Sequence, residues 1–246
     1  MQNIQAQYTQ KKMTAADAVA MIHDGETIVV PTGVGEPPAL LHALSERRHS
    51  LRDVVVSQIL PLRKYDYIDA DTRHNVRHDA YFYGGATRPG GQAGWIDFLP
   101  AYFSELPMLI DRGLTPADVV VSMASPMDEH GYFALSLAPD YTMAAVRRAR
   151  VILLEVNPNV PFAFGDCHVH ISQVAGLVES DEPLFEVGLP FGDLAYYKLQ
   201  YINQSFWPVY GDFVLMLRAD LGYGDGYNNK PLPFFKAFYA GGVGSV

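Results

Sequence analysis

Only one cysteine, Cys167, occurs in the 246 residues. A lone thiol excludes an internal disulfide and suits a reducing compartment. Basic residues are also scarce: 18 Lys and Arg stand against 27 Asp and Glu, a net charge of −9. Non-specific nucleic-acid binding needs basic surface to neutralise phosphates, so no nucleic-acid partner is expected. No uninterrupted apolar run approaches the roughly 18 residues of a membrane helix. The opening stretch MQNIQAQYTQKK has no apolar core followed by small residues, so no secretory signal is expected and the expected location is cytoplasmic. The GxGxxG and Walker lysine patterns are missing, which removes two common nucleotide-binding signatures. No repeat of solenoid spacing and no low-complexity tract occurs.

One absence is regional. Residues 188–246 contain no histidine, whereas residues 1–187 hold all 8. The later segment carries 14 of the aromatics, 9 of the 21 glycines and four acidic against four basic residues, so the whole −9 resides in the earlier one. A shift this abrupt suggests two segments built for different surroundings, 1–187 and 188–246, with a boundary near Val187.

What is present in the first segment alternates. MTAADAVAMIHDGETIVV reads as helix then strand. Thr14 can cap the helix, Asp17 sits at its positive dipole end, and Gly25 suits a left-handed stop. Residues 26–30 form a short apolar strand, followed by the loop TGVGE and the helix PPALLHALSERR. DVVVSQIL (53–60), DVVVSMAS (118–125) and VILLEVN (151–157) are further strands, and DYTMAAVRRAR (140–150) is a helix. GGATRPGGQAGW (84–95) is too glycine-rich for either element and reads as loop. Strands alternating with helices predict an α/β fold, a mainly parallel sheet with flanking helices. A β-rich segment of two or three strands should follow it.

Ligands of such sheets bind beyond the carboxyl ends of the strands, which selects four groups. In PTGVGEPP, Gly33 and Gly35 lie between a strand and a helix amino terminus, where free amides could hold a carboxylate or oxyanion; the alternative is a tight connection needing glycine for geometry alone. In SPMDEHGYFALS, Asp128, Glu129 and His130 precede Gly131 and read as an acid–base cluster or, preferably, as a polar turn into the strand 132–136. Glu155 and Asn157 share one face at strand spacing, fit for binding or for structural hydrogen bonding. In GDCHVHIS, Asp166, Cys167, His168 and His170 are ligand types for zinc, but no second ligand pair with familiar spacing exists, so no metal is expected. No base is identifiable that would activate Cys167 as a nucleophile.

TGVGEPPALLHAL, LPMLIDRGLTPADVVVSMASPMDEHGYFALS and EVNPNVPFAFGDCHVHISQVAGLVESDEPL together resemble the amino-terminal half of the acetyl-CoA hydrolase/transferase family. The family includes acetate, butyrate and 4-hydroxybutyrate CoA-transferases, and the likeness runs from about Thr14 to Leu184. It implies acyl-CoA and a small carboxylate as substrates, no permanently bound cofactor, and a possible homo-oligomer. It also implies covalent catalysis: a glutamate attacks the thioester, and an amide-lined pocket stabilises each tetrahedral intermediate. By the resemblance Gly33 and Gly35 face the active-site cleft, and His170 takes a structural or substrate-pocket role. Gly131, Glu155 and Asn157 complete the expected substrate-binding set. The family's nucleophilic glutamate and principal CoA loop belong to a second α/β half, which is not found after Leu184, so no catalytic residue is assigned and the chain alone is expected to be inactive.

DLAYYKLQY and GYGDGYNNKPLPFFKAFYAGGVGSV resemble instead the barrel of the outer-membrane protein assembly factor family. Tyr197, Leu199 and Tyr201 alternate with Lys198 and Gln200, and Phe213, Leu215, Leu217, Ala219, Leu221 and Tyr223 continue with period two, interrupted by Val214 and Met216. A membrane partner is expected only if this segment dominates.

Overall fold

The capped helices and β-branched runs fold as the sequence dictates. A computed structural model describes residues 4–186, 196–210 and 213–226. The chain divides into two units, Met1–Glu186 and Val187–Val246; the expected boundary residues 187 and 188 and the closing stretch 231–246 lie outside the described residues.

The first unit begins with α1 (Ile4–Lys11) and α2 (Ala15–Val19), then β1 (Thr27–Val29), a 3₁₀ turn at Gly33–Gly35 and α3 (Pro38–Arg47). There follow β2 (Val54–Gln58), β3 (Val76–Ala80), α4 (Arg88–Ala93), β4 (Asp97–Phe98), α5 (Leu106–Asp111) and β5 (Val119–Ala124). The unit closes with β6 (Tyr132–Ala134), α6 (Thr142–Arg148), β7 (Val151–Val156), β8 (His168–His170) and β9 (Gly176–Glu179). Seven strands form one parallel sheet in the order β4-β3-β2-β1-β5-β7-β9, and β6 and β8 pair separately as an antiparallel ladder.

Each central strand divides its side chains between two cores, as a period of two requires. Ile28, Val119, Val121, Val151 and Leu153 pack with Leu40, Leu41 and Leu44 of α3. Their neighbours Val29, Val120, Ile152 and Leu154 pack instead with Ile110 of α5 and Met143, Ala144 and Val146 of α6. The result is three layers, with helices covering both faces.

Local signals are realised at α2. Thr14 Oγ1 accepts the Asp17 amide at 3.1 Å, and Gly25 has φ +78°. The stretch 84–95 departs from its expected loop, because α4 occupies Arg88–Ala93. Pro89 supports its first turn, Gly94 closes it in the left-handed region, and Gly90 lies where a Cβ would meet Ile96 Cδ1 at 2.5 Å. Glycine is there for close packing, which overrides its poor helix propensity. The opening residues, read only for the lack of a signal, form α1. Lys11 Nζ donates to Ile171 O at 2.7 Å and Val174 O at 2.6 Å.

In the second unit β10 (Tyr196–Tyr210) and β11 (Phe213–Gly226) pair antiparallel. Among the described residues no helix is long and apolar enough to cross a membrane.

Candidate functional site

Strands run outward from β1 toward β4 on one side and from β5 toward β9 on the other. The order reverses between β1 and β5, and the crevice at the carboxyl ends there is where open α/β sheets place ligands. Tyr141 fixes this point: its buried hydroxyl donates to Val30 O and accepts the Ile59 amide at 3.2 Å.

The segment leaving β1 turns tightly at Gly33–Gly35. Gly33 adopts φ +52° and donates its amide to Leu60 O at 3.0 Å. Gly35 donates to Thr32 O at 3.1 Å, and a Cβ on it would lie 2.7 Å from Ala138 Cβ. Both amides are thus engaged within the chain, and the missing side chain at Gly35 lets two segments touch.

Two buried carboxyl groups clamp this turn to the sheet. Glu36 Oε2 accepts from Gln58 Nε2 at 3.0 Å and from the Leu62 amide at 3.4 Å, tying the turn to the end of β2. Glu155, on β7, reaches the amino terminus of α3, where its Oε2 accepts the amides of Ala39 at 2.8 Å and Leu40 at 3.2 Å. The anion at this helix end is therefore the protein's own carboxylate. Burial pushes Glu155 up to about 6, with the two helix amides resisting. Burial also raises Glu36, against its bonds to Gln58 and Leu62 and the nearby Arg63. At 3% and 0% exposure, neither group presents an accessible oxygen to a substrate.

Asn157 extends the frame. Its Nδ2 donates to Glu182 O at 2.8 Å and its Oδ1 accepts the Asn159 amide at 2.9 Å. Glu182 pairs with Arg63 at 2.6 Å. Burial works against the Arg63 charge, but Glu182 outweighs it and raises the pKa. Tyr65 lies within electrostatic reach of Glu36, Arg63, Glu155 and Glu182, and burial above all keeps its hydroxyl protonated.

Of the expected residues, Gly33, Gly35, Glu155 and Asn157 thus belong to one framework at the carboxyl ends of β1 and β7. Gly131 and His170 form a second group on the β6–β8 ladder. Gly131 has φ +89°, and a Cβ on it would meet His170 Nε2 at 3.0 Å. His170 Nδ1 pairs with Ser172 Oγ at 2.8 Å, and its ring packs edge-on against Tyr132. Cys167 is buried beside them, its thiol pushed up by burial and then by Asp166. His168 Nε2 contacts Ala163 O at 2.9 Å. Asp128 Oδ1 accepts the amides of His130 and Tyr132, the geometry of the polar turn. Among the described residues no three His, Cys, Asp or Glu side chains form a metal-holding group.

Sequence reasoning missed Glu36 and Gln58. A glutamate followed by two prolines in an otherwise apolar loop was the available signal, but its partner lies 22 residues away.

The acetyl-CoA hydrolase/transferase N-terminal domain profile matches residues 1–187, and the Omp85 superfamily domain profile matches residues 182–246. The succinyl-CoA:cyclohexane-1-carboxylate CoA transferase of Geobacter metallireducens is 41% identical over 184 residues, covering 75% of this chain and 42% of that protein. The crystal structure of RipA from Yersinia pestis superposes with a TM-score of 0.70 at 29% identity, over 76% of this chain and 46% of that one. The chain therefore spans about half the length of the relatives its first unit matches. Its last part is 42% identical over 62 residues to the outer membrane protein assembly factor BamA of Neisseria meningitidis, 8% of that protein.

Proposed function

This chain belongs, through residues 1–187, to the acetyl-CoA hydrolase/transferase N-terminal domain family, and from that premise we propose that it supplies one half of a site that moves coenzyme A between an acyl-CoA and a small carboxylic acid. The observation that carries this reading is the 41% identity over 184 residues to a CoA transferase. Succinyl-CoA and cyclohexane-1-carboxylate, named for that relative, are the first substrates to try. In this reading coenzyme A is a substrate rather than a resident cofactor. The Gly33–Gly35 turn walls the crevice, Glu36, Glu155 and Asn157 hold it in place, and Gly131 with His170 supports the pocket from the β6–β8 ladder. The nucleophile comes from a second half outside these 246 residues.

The test is CoA exchange from succinyl-CoA to labelled carboxylates. The 246-residue chain alone should stay at background. Adding the carboxyl-terminal half of the Geobacter metallireducens relative as a separate polypeptide should produce turnover. Robust turnover by the chain alone would overturn the two-half reading.

A second reading rests on the hairpin. Its register sets Leu199 opposite Tyr223 and Tyr201 opposite Leu221, and between them Lys198 opposite Gly224 and Gln200 opposite Gly222, an alternation of the kind barrel strands show, broken where Tyr197 opposes Asp225. On this reading residues 188–246 act as an outer-membrane barrel fragment. Co-sedimentation of the intact chain with phospholipid vesicles, lost in a 1–186 truncation, would favour it.

A further inference from the structure

Beside the Gly33–Gly35 turn lies a cavity of about 390 Å³, at the small end of the roughly 300–1,000 Å³ typical of ligand sites. It opens at the carboxyl ends of β2 and β3. Leu60, Pro61 and Leu62 form one wall, and Ala86, Pro89 and Trp95 form the other. The cavity borders the proposed crevice: Leu60 O holds the Gly33 amide, Leu62 Cδ1 lies 3.6 Å from where a Gly33 Cβ would be, and the Leu62 amide donates to Glu36.

Its charge is one-sided. Lys64 is the single ionisable group of the lining, and its nearest acid is Asp69 at 3.7 Å. Both partners are more than half exposed, so this pair exchanges readily for another carboxylate. The other side chains of the lining carry no charge, and burying an unpaired charge there is costly.

We infer that this cavity sets the acid specificity of the proposed transferase, taking a compact alicyclic or branched monocarboxylate whose apolar body lies between Leu60, Leu62 and Trp95 and whose carboxylate faces Lys64. Acetate leaves the walls unfilled. The inference rests on the transferase reading for its role in turnover, but the binding it requires does not.

The chain has two tryptophans, Trp95 and Trp207. With Trp207→Phe in place, Trp95 emission reports the cavity directly. Each methylene removed from water contributes about fourfold in affinity, so cyclohexane-1-carboxylate should bind at least ~30-fold more tightly than acetate even in an open-sided cavity. Ala86→Phe, which fills the space without adding an indole, should abolish that preference while leaving acetate unchanged. Lys64→Gln should weaken both acids by the same factor. Equal affinities, no saturable change with either acid, or a preference that survives Ala86→Phe would each overturn the inference. Should Ala86→Phe fail to fold, a graded series in the Trp207→Phe protein decides alone: affinity must rise from acetate through butanoate to cyclohexane-1-carboxylate. The reconstituted CoA exchange separates the two readings. Exchange onto acetate without an acid preference in binding sinks the cavity and leaves the transferase. A binding preference without any exchange sinks the transferase and leaves an acid-binding pocket.

Discussion

Replacing Glu155 by Gln tests whether burial or partner charge governs the carboxyl group that caps α3. An ionised carboxylate at a helix amino terminus gains about 0.3–1 kcal/mol from the dipole, and accepting two amides favours the charged form further. Complete burial opposes both and wins, taking the pKa from its ordinary 4.5 to about 6. At ~1.36 kcal/mol per decade, that rise is worth about 2 kcal/mol. The unfolded chain loses this proton first as pH rises, so the native state holds more protons between 4.5 and about 6. The stabilisation is therefore fully present below 4.5 and gone once the pH has passed about 6. Glutamine does not titrate, but its amide oxygen can still accept from Ala39 and Leu40. Glu155→Gln should accordingly gain about 1 kcal/mol on the unmodified protein between ~pH 5 and ~pH 7.5. Urea unfolding of both proteins at both pH values measures it. The same difference at the two values would refute the reasoning: Glu155 would be ionised throughout, and the helix end would outweigh desolvation.

Gly35→Ala forces a methyl group to 2.7 Å from Ala138 Cβ and 3.0 Å from Pro31 Cβ, and should cost about 1–3 kcal/mol in the same urea assay. Gly33→Ala meets only ordinary contacts, so its cost of about 1–2 kcal/mol is that of the left-handed backbone alone; equal stability to wild type in either variant would contradict the corresponding account. His78 is buried, stacks on Tyr67 and has its pKa lowered from 6.5 to about 4 by burial. Its stabilisation is present above 6.5 and lost as pH falls through about 4, so His78→Phe should lessen the acid loss by about 3 kcal/mol; an unchanged acid limb would show that the ring charges without penalty. A 1–186 truncation should unfold cooperatively and retain its near-ultraviolet circular dichroism, since both cores lie within that range; a molten spectrum would show dependence on the later residues.

Much of the fold was legible because its signals are local. The β-branched runs at 54–58, 119–124 and 151–156 became central strands, and Thr14 with Asp17 capped α2 as two neighbouring residues can. What was not legible depends on contacts across the chain. α1 carries no strong apolar face and is held by Lys11 on two carbonyls and by Tyr8 on Glu179, 171 residues away. α4 forms from a glycine-rich stretch because Gly90 and Gly91 let Ile96 and Tyr83 approach. The site divides in the same way. Its place, beyond β1 and β7, follows from strand order, and Glu155 and Asn157 from their spacing. That Glu155 would itself fill the helix end suggested for a ligand required knowing that residues 39 and 155 meet.

The hairpin marks where alternation stops being informative. Over Lys198–Tyr201 and Leu221–Gly224 the register separates apolar from polar and glycine positions, and Tyr197 opposite Asp225 breaks the pattern. Toward the closed end the separation is lost: Phe206 opposes Met216 on one face and Trp207 opposes Leu215 on the other. All four are roughly half exposed. A two-stranded ribbon has no interior, so each face must find its own cover, and period two assigns only one of them. The interruption at Met216, which reads in the sequence as noise in the pattern, is in the structure part of a second apolar pair with Phe206. Hydrophobic cover on both sides of this end is therefore required by the register itself, whichever solvent surrounds the rest of the strand pair.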